Sequence, residues 1–312
     1  MNYFIIDGLN YCHRMHNVNF ELRTAKDQPS GMFFGFVRGI LSLKKKYRGY
    51  QFCVAWDNRA HHKFELQPDY KAGRTTLPPV VMQQVNDIKE YLSYCGVHQY
   101  EKEGQEADDI IASLVEMFRE NADTIMIYTN DKDMLQLVEN GKVVVFKPKV
   151  AGTPEKFYDE EAVIEVFGVP PRKLAYYRSF DGDASDHITG VPRVPRKLIA
   201  SLINEHGTPE NVYKIINSNQ VKLTEYQQRA FVESEDRIRT NLKIVELDRE
   251  ITDIDCQKGV CHEDALADIL KKYEVKSVDP HTVIDIFSSS LNVRYTEARS
   301  PYKLESFSLF DE

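Results

Sequence analysis

The run YFIID at residues 3–7 is five residues long, apolar until its last position, and ends on aspartate; FCVAWD at 52–57 and IMIYTND at 125–131 repeat the pattern. Unbroken apolar runs of this length suit strands covered on both faces, as in a parallel sheet. Further strands are expected at 97–100 and 143–147, with helical periodicity between them at 31–47, 79–94 and 106–120. That alternation gives parallel βαβ units with right-handed crossovers. In such a sheet, ligands bind beyond the carboxyl ends of the strands, where these aspartates fall.

Working outward, the acidic residues form five clusters: Asp7; Asp57; Glu106, Asp108 and Asp109 in GQEADDIIASLV; Asp131 and Asp133 in YTNDKDMLQLV; Asp183 and Asp186 in FDGDASDHITGVP. Each alone has an ordinary reading as a first-turn acid, a helix cap or a turn residue. Gathered at one sheet edge, however, nine carboxylates repel one another by several kcal/mol per close pair at low dielectric, so bound cations must offset them. All-oxygen donors select a hard ion, Mg²⁺ or Mn²⁺, over zinc, and a pair of such ions is a common device for phosphodiester hydrolysis.

The net charge of −8 weighs against nucleic-acid binding until those nine carboxylates are set aside, which leaves the remainder near +1. Local basic stretches then matter more than the total: SLKKKYR at 42–48, YKAGR at 70–74 and PRVPRK at 192–197. Five cysteines without a CxxC pair suit reduced thiols rather than disulfides or a zinc site. With no leader-like start, no span-length apolar run and no Walker-type loop, the expectation is a soluble, cytoplasmic monomer that uses neither membrane nor ATP.

After KPKVAGTPEKFYD (147–159) strand-like runs nearly vanish, and amphipathic segments follow at 159–167, 171–179, 196–206, 209–217, 224–248, 262–273 and 281–289. The expected organisation is an α/β domain at 1–160, a helical domain at 161–292 and a tail at 293–312. The segment 58–79, NRAHHKFELQPDYKAGRTTLPP, is long for a connection and starts at the second acidic strand end, so it reads as a lid or arch over the site. Its histidines, His61 and His62, with His13 and His16, read as surface or phosphate-contacting residues, and Trp56 as core.

In order, IIDGLN, AWD, YKAGR, EADD, TNDKDMLQLV and GDASDHITGVP resemble the motifs of the 5′ nucleases that include flap endonucleases and the 5′-nuclease domain of DNA polymerase I. The similarity spans about residues 1–250. It implies a PIN-like, Rossmann-type nuclease domain with a mostly parallel sheet, followed by a helical duplex-binding domain with a helix-hairpin-helix-like element. By position, it implies that Asp7, Asp57, Glu106, Asp108 and Asp109 surround a first divalent ion, that Asp131 and Asp133 lie between two ions, and that Asp183 and Asp186 hold the second. Lys71 and Arg74 match the basic arch residues, with Phe64 and Tyr70 placed to stack on bases.

The family's Gly-Val-Pro-Gly-hydrophobic-Gly element is here Gly190-Val191-Pro192-Arg193-Val194-Pro195, followed by Arg196 and Lys197. Loss of both later glycines puts the backbone grip on duplex phosphate, and its K⁺, in question: proline has no amide proton and a bulky side chain resists a left-handed turn. Arg193, Arg196 and Lys197 are the substitute phosphate contacts. The tail ESFSLFDE resembles a sliding-clamp-binding peptide at Ser308, Leu309 and Phe310; the alternative is packing on its own domain. The implied substrate is DNA with a 5′ flap, nick or single-strand/duplex junction, an RNA–DNA primer duplex included. A non-catalytic scaffold of the same fold and an RNase are the rival readings.

Overall fold

The computed structural model describes residues 1–58, 61–71, 77–149 and 154–288. Five parallel strands, β1 (Asn2–Asp7), β2 (Tyr50–Ala55), β3 (His98–Glu101), β4 (Thr124–Tyr128) and β5 (Val143–Lys147), carry the expected apolar runs. An antiparallel strand β6 (Lys156–Tyr158) closes one edge, giving the order β6-β5-β4-β1-β2-β3. β1 is therefore the switch point: the chain leaves it towards β2 on one side and returns as β4 on the other. The fold class is α/β with a mostly parallel, mixed sheet.

The crossovers are α1 (Gly8–Asn19), α2 (Gly31–Lys46), the short α3 (His61–Leu66), α4 (Pro79–Tyr94) and α5 (Ala107–Arg119). Neither α1 nor α3 was legible as a helix, because GLNYCHRMHNVN and HHKFEL are polar and lack a clear apolar stripe. α1 is initiated instead by Asp7, whose Oδ1 accepts from the Asn10 amide at 3.0 Å. α1, α2 and α4 cover one sheet face, with Phe4, Ile6, Phe36, Trp56 and Tyr91 in their core.

The opposite face packs on α5 and then, without a break in the apolar cluster, on the second half of the chain. That half comprises α6 (Glu160–Phe167), α7 (Leu174–Asp181), a small hairpin of β7 (Gly182–Asp183) and β8 (Ile188–Thr189), α8 (Arg196–His206), α9 (Pro209–Asn217) and the long α10 (Glu225–Val245). The chain then returns to the sheet. β9 (Asp255–Gln257) pairs antiparallel with β3, and α11 (Glu263–Lys272) and α12 (Pro280–Ser288) join the α2/α4 core. Residues 255–288, expected inside a helical unit at 161–292, thus build on the first half. Their apolar residues Leu266, Ile269, Leu270 and Val283 find their partners there.

Among the described residues no helix is long and apolar enough to cross a membrane. The proposed arch is only partly described, and Arg74 lies outside the described residues, as do Ser308, Leu309 and Phe310.

The start of α1 sits hard against the end of β2. A Cβ on Gly8 would stand 2.6–2.8 Å from the Trp56 ring and Val54, while Trp56 is fixed by an indole hydrogen bond to Gln99 Oε1 at 3.0 Å. Gly8→Ala should therefore destabilise the protein by about 1–3 kcal/mol through overpacking. Urea unfolding checks this; an unchanged midpoint would mean that β2 and α1 separate freely.

Candidate active site

Register brings the acidic residues together. Asp7 closes β1 opposite Ala55 of β2, and Ile6 pairs with Tyr128 of β4, so Asp57 and the Thr129–Asp133 loop leave the sheet on either side of Asp7. Thr129 Oγ1 donates to Asp7 Oδ2 at 3.1 Å, and the same hydroxyl oxygen accepts the Asp131 amide at 3.1 Å. Asp131 Oδ1 in turn accepts the Asp133 amide at 2.7 Å. Across β2, Asp57 Oδ1 accepts the Ala107 amide at 3.1 Å, which sets the first turn of α5 beside the strand ends.

Consecutive helix residues point about 100° apart, and that separates Asp108 from Asp109. Asp108 feels Asp131, Asp7 and Asp57. Asp109 is turned away: its Oδ1 accepts the Asp248 amide at 3.0 Å, and its Oδ2 lies 2.9 Å from Lys63 Nζ. Expected with the first ion, Asp109 instead anchors α5 to the α10–β9 connection and to α3.

Burial, with Asp57 and Asp131 nearby, pushes the Asp7 carboxyl up to about 7. Burial and the charges of Asp131, Asp7 and Asp57 raise Asp108 well above the carboxylate range, against the pull of Lys71. Asp133 is likewise pushed up to about 7 by burial and Asp131, with Arg178 opposing. Like charge has been desolvated here, which is the condition that a hard cation relieves.

Glu106 is the contrast. Burial would raise it, but Lys63 and Lys71 hold it at about 2. Lys63 Nζ is 3.0 Å from Oε2, Lys71 Nζ 2.6 Å from Oε1, and the Tyr70 hydroxyl donates to Oε2 at 3.2 Å. Tyr70, expected to stack on bases, is 4% exposed and packs with Ile188, Ile244 and Val245. Its phenol has found a buried carboxylate and its ring an apolar bed, so it braces the stretch that carries Lys71. Phe64 is an exposed ring and meets Tyr70 edge-on at 5.8 Å.

The last acidic pair lies in the β7–β8 hairpin. Gly182 adopts φ 76°, and a Cβ there would come within 2.5 Å of the Gly190 amide nitrogen, so the strands meet closely only with glycine. α10 fixes the hairpin through Asn241 Nδ2, which donates to the carbonyls of Ser179 and Thr189 at 2.9 and 3.0 Å. Asp183 accepts from Ser185 and Arg178. These bonds overcome the effect of burial and hold its carboxyl at about 2. Asp186 is buried beside it, and its carbonyl accepts the Lys71 amide at 3.4 Å. Lys71 therefore touches both halves of the acid set.

Arg193 takes φ 54° despite its side chain. The left-handed turn is made without glycine, contrary to the expectation that a bulky residue would resist it. Arg193, Arg196 and Lys197 are exposed, and Arg196 Nε is committed to Asp181 Oδ1 at 2.8 Å. In SLKKKYR, Lys44 is buried and donates to the Tyr50 carbonyl at 2.6 Å, so that stretch is partly structural.

Sequence reasoning missed Lys63, Thr129, Arg178 and Asn241. Arg178 was detectable as a lone cation within the apolar helix sequence LAYYRSF; the other three carried no signal without the fold. Among the described residues no group of three or more His, Cys, Asp or Glu side chains is drawn together as a ready metal cage. Lys63, Lys71 and Arg178 take part of the counter-charge role in this conformation. The donor set is nonetheless all oxygen, and the raised carboxyls of Asp7 and Asp108 are short of positive charge, so the residues fit hard divalent ions.

A pH dependence follows. In the divalent-free fold Asp7 and Asp133 keep a proton up to about 7, against 3.8 when unperturbed. The folded state then holds more protons than the unfolded state across that window, so stability falls as pH rises from about 4 to about 7. Glu106 and Asp183 act in the opposite sense, but their contribution is complete once pH passes 4.5. Thermal midpoints in EDTA should decline from about pH 4.5 to 7.5; a rising midpoint would contradict the burial of like charge.

Residues 2–168 match the model of the 5′-3′ exonuclease N-terminal, resolvase-like domain. A 5′-3′ exonuclease of Aquifex aeolicus (strain VF5) is 35% identical over 212 residues, 68% of this chain and 72% of that protein. A DNA polymerase I of Caldicellulosiruptor bescii is 31% identical over 285 residues, 89% of this chain but 33% of the polymerase, so the chain spans about a third of that relative. Among solved structures, the T5 D15 protein co-crystallized with metal ions superposes with a TM-score of 0.65 at 21% identity, over 92% of this chain and all of that one. The catalytic core of Rad2 in complex with DNA substrate gives 0.58 at 17% identity, over 91% and 90%.

Proposed function

The chain belongs to the 5′-3′ exonuclease family, and from that premise we propose that this structure-specific 5′ nuclease uses Mg²⁺ to hydrolyse DNA phosphodiesters near single-strand/duplex junctions, in primer or flap removal. The observation that carries the reading is the shared field of Asp7, Asp57, Asp108 and Asp131 at the switch point of the sheet. Like charge crowded around the buried Asp7 at a ligand-binding edge costs free energy that no structural purpose offsets.

Asp7, Asp57, Asp108 and Asp131 would hold one divalent ion, with Glu106 flanking it; Asp133, Asp183 and Asp186 would hold a second. Bound there, the ions would supply the positive charge that acidifies the attacking water and stabilises the leaving oxygen. One Thr129 hydroxyl orients the Asp7 carboxylate and fixes the Asp131 backbone, and the Asp133 amide holds Asp131 Oδ1, so these donors are set before substrate arrives. Lys71, held at Glu106 by a 2.6 Å ion pair, is poised at the lid base to meet a phosphate as a point charge. Phe64 offers an exposed ring to the single strand. Phosphate contacts from Arg193 and Lys197 on the helical side would position duplex by shape, without reading bases.

The test is an end-labelled 5′-flap duplex incubated in Mg²⁺, in EDTA, and with Asp131→Asn. Cleavage at the junction should vanish in EDTA and fall by about 10²–10³-fold or more in the variant. Tight binding without cleavage in Mg²⁺ or Mn²⁺ would sink the reading and leave a non-catalytic scaffold.

The salt dependence of duplex binding reports on the helical side. Lys197→Ala and Arg193→Ala should each lower the slope of log K against log salt by about one. Arg196→Ala should change it less, since Asp181 already neutralises that guanidinium. Equal slopes in all four proteins would place the duplex elsewhere.

A further inference from the structure

Arg178 does more than supply counter-charge, because its guanidinium bonds three acceptors at once in the acidic region. It sits on α7, 3% exposed. Its Nε donates to Asp133 Oδ1 at 2.9 Å, its Nη1 to the Gly182 carbonyl at 3.0 Å, and its Nη2 to Asp183 Oδ2. Asp133 belongs to the loop after β4 and Asp183 to the hairpin after α7. One guanidinium therefore clasps the sheet half to the helical half and takes one oxygen from each of two carboxylates. A planar fork can reach both acceptors and a backbone carbonyl at once; a lysine cannot.

Burying two carboxylates side by side requires fixed positive charge, and removing it would leave them uncompensated. Arg178 supplies that charge whether or not an ion is present. Resting on the nuclease reading, we propose that Arg178 is a positioning residue and resident counter-cation of the Asp133/Asp183 half of the centre. It sets the spacing of the two carboxylates and lowers the affinity of that half for a divalent ion in the DNA-free protein. The second ion is then taken up effectively only when the anionic substrate adds its own negative charge.

The measurement is Mn²⁺ binding to the full, DNA-free chain by calorimetry, beside junction cleavage. The wild type should take up one ion tightly and one weakly. Arg178→Gln should tighten the weak site by on the order of tenfold or more, because a unit charge a few Å from a divalent ion has been removed. Arg178→Lys keeps the charge and loses the fork. It should leave the weak affinity near wild type while kcat falls at unchanged KM. Should Arg178→Gln not fold, the lysine variant carries the test, and a weak-site affinity that changed as kcat fell would overturn the proposal. Unchanged or weaker Mn²⁺ binding in Arg178→Gln, with wild-type uptake and cleavage intact, would overturn the role of Arg178 alone. A wild type that takes up no Mn²⁺ and cuts nothing would overturn this proposal and the nuclease reading together.

Discussion

Like charge crowded at the carboxyl ends of β1, β2 and β4, with Asp7 buried at its centre, is the constraint around which the molecule is organised. A parallel sheet with its switch point at β1 forces Asp7, Asp57 and the Thr129–Asp133 loop into one neighbourhood, and α5 adds Asp108. Apolar packing on both faces keeps the strands there and places a low-dielectric interior behind the carboxylates. The same burial that stabilises the fold thus makes its acidic edge unfavourable without cations. That tension is what makes the edge useful for phosphate chemistry.

The protein relieves part of the tension with its own side chains, and unevenly. Glu106 is saturated by Lys63, Lys71 and Tyr70, and its carboxyl is held at about 2. Asp183 is held equally low by Ser185 and Arg178. Asp7 and Asp133 stand at about 7. The acid set is therefore divided into members held low at its rim, which tie down the 63–71 stretch and the hairpin, and members whose carboxyls stay raised, Asp133 among them despite its bond to Arg178. Structural ion pairs surround the part of the site reserved for exogenous charge.

The two halves of the chain are joined by polar clasps as well as by apolar contact. α5 and α7–α10 share one core, so the helical half is not a detachable unit. The Asp248 amide on Asp109, Arg178 on Asp133, and the Lys71 amide on the Asp186 carbonyl cross between them at the site itself. The return of β9, α11 and α12 to the sheet adds a second covalent tie between the halves. Geometry at the acidic edge then depends on both halves being in place, which suits a centre whose donors come from each.

By itself the sequence determined the parallel strands, most of the helices and the set of acidic residues, but not the edge strands β6 and β9, because apolar runs and turn acids are local signals and a short edge strand carries none. It also carried the resemblance to 5′ nucleases, through motifs whose order along the chain is specific even where each is short. Tertiary structure alone decided what each residue does. Helix phase sends Asp109 to the Asp248 amide while Asp108 faces the cluster, although the two are adjacent in sequence. Tyr70 became a buried brace rather than a stacking platform because Glu106 and an apolar bed, both distant in the chain, lie beneath it. Lys63 and Arg178 gained their roles only from carboxylates brought to them by the fold. A counter-charge is defined by distance in space, and sequence spacing holds that information only within a helix turn or a strand pair.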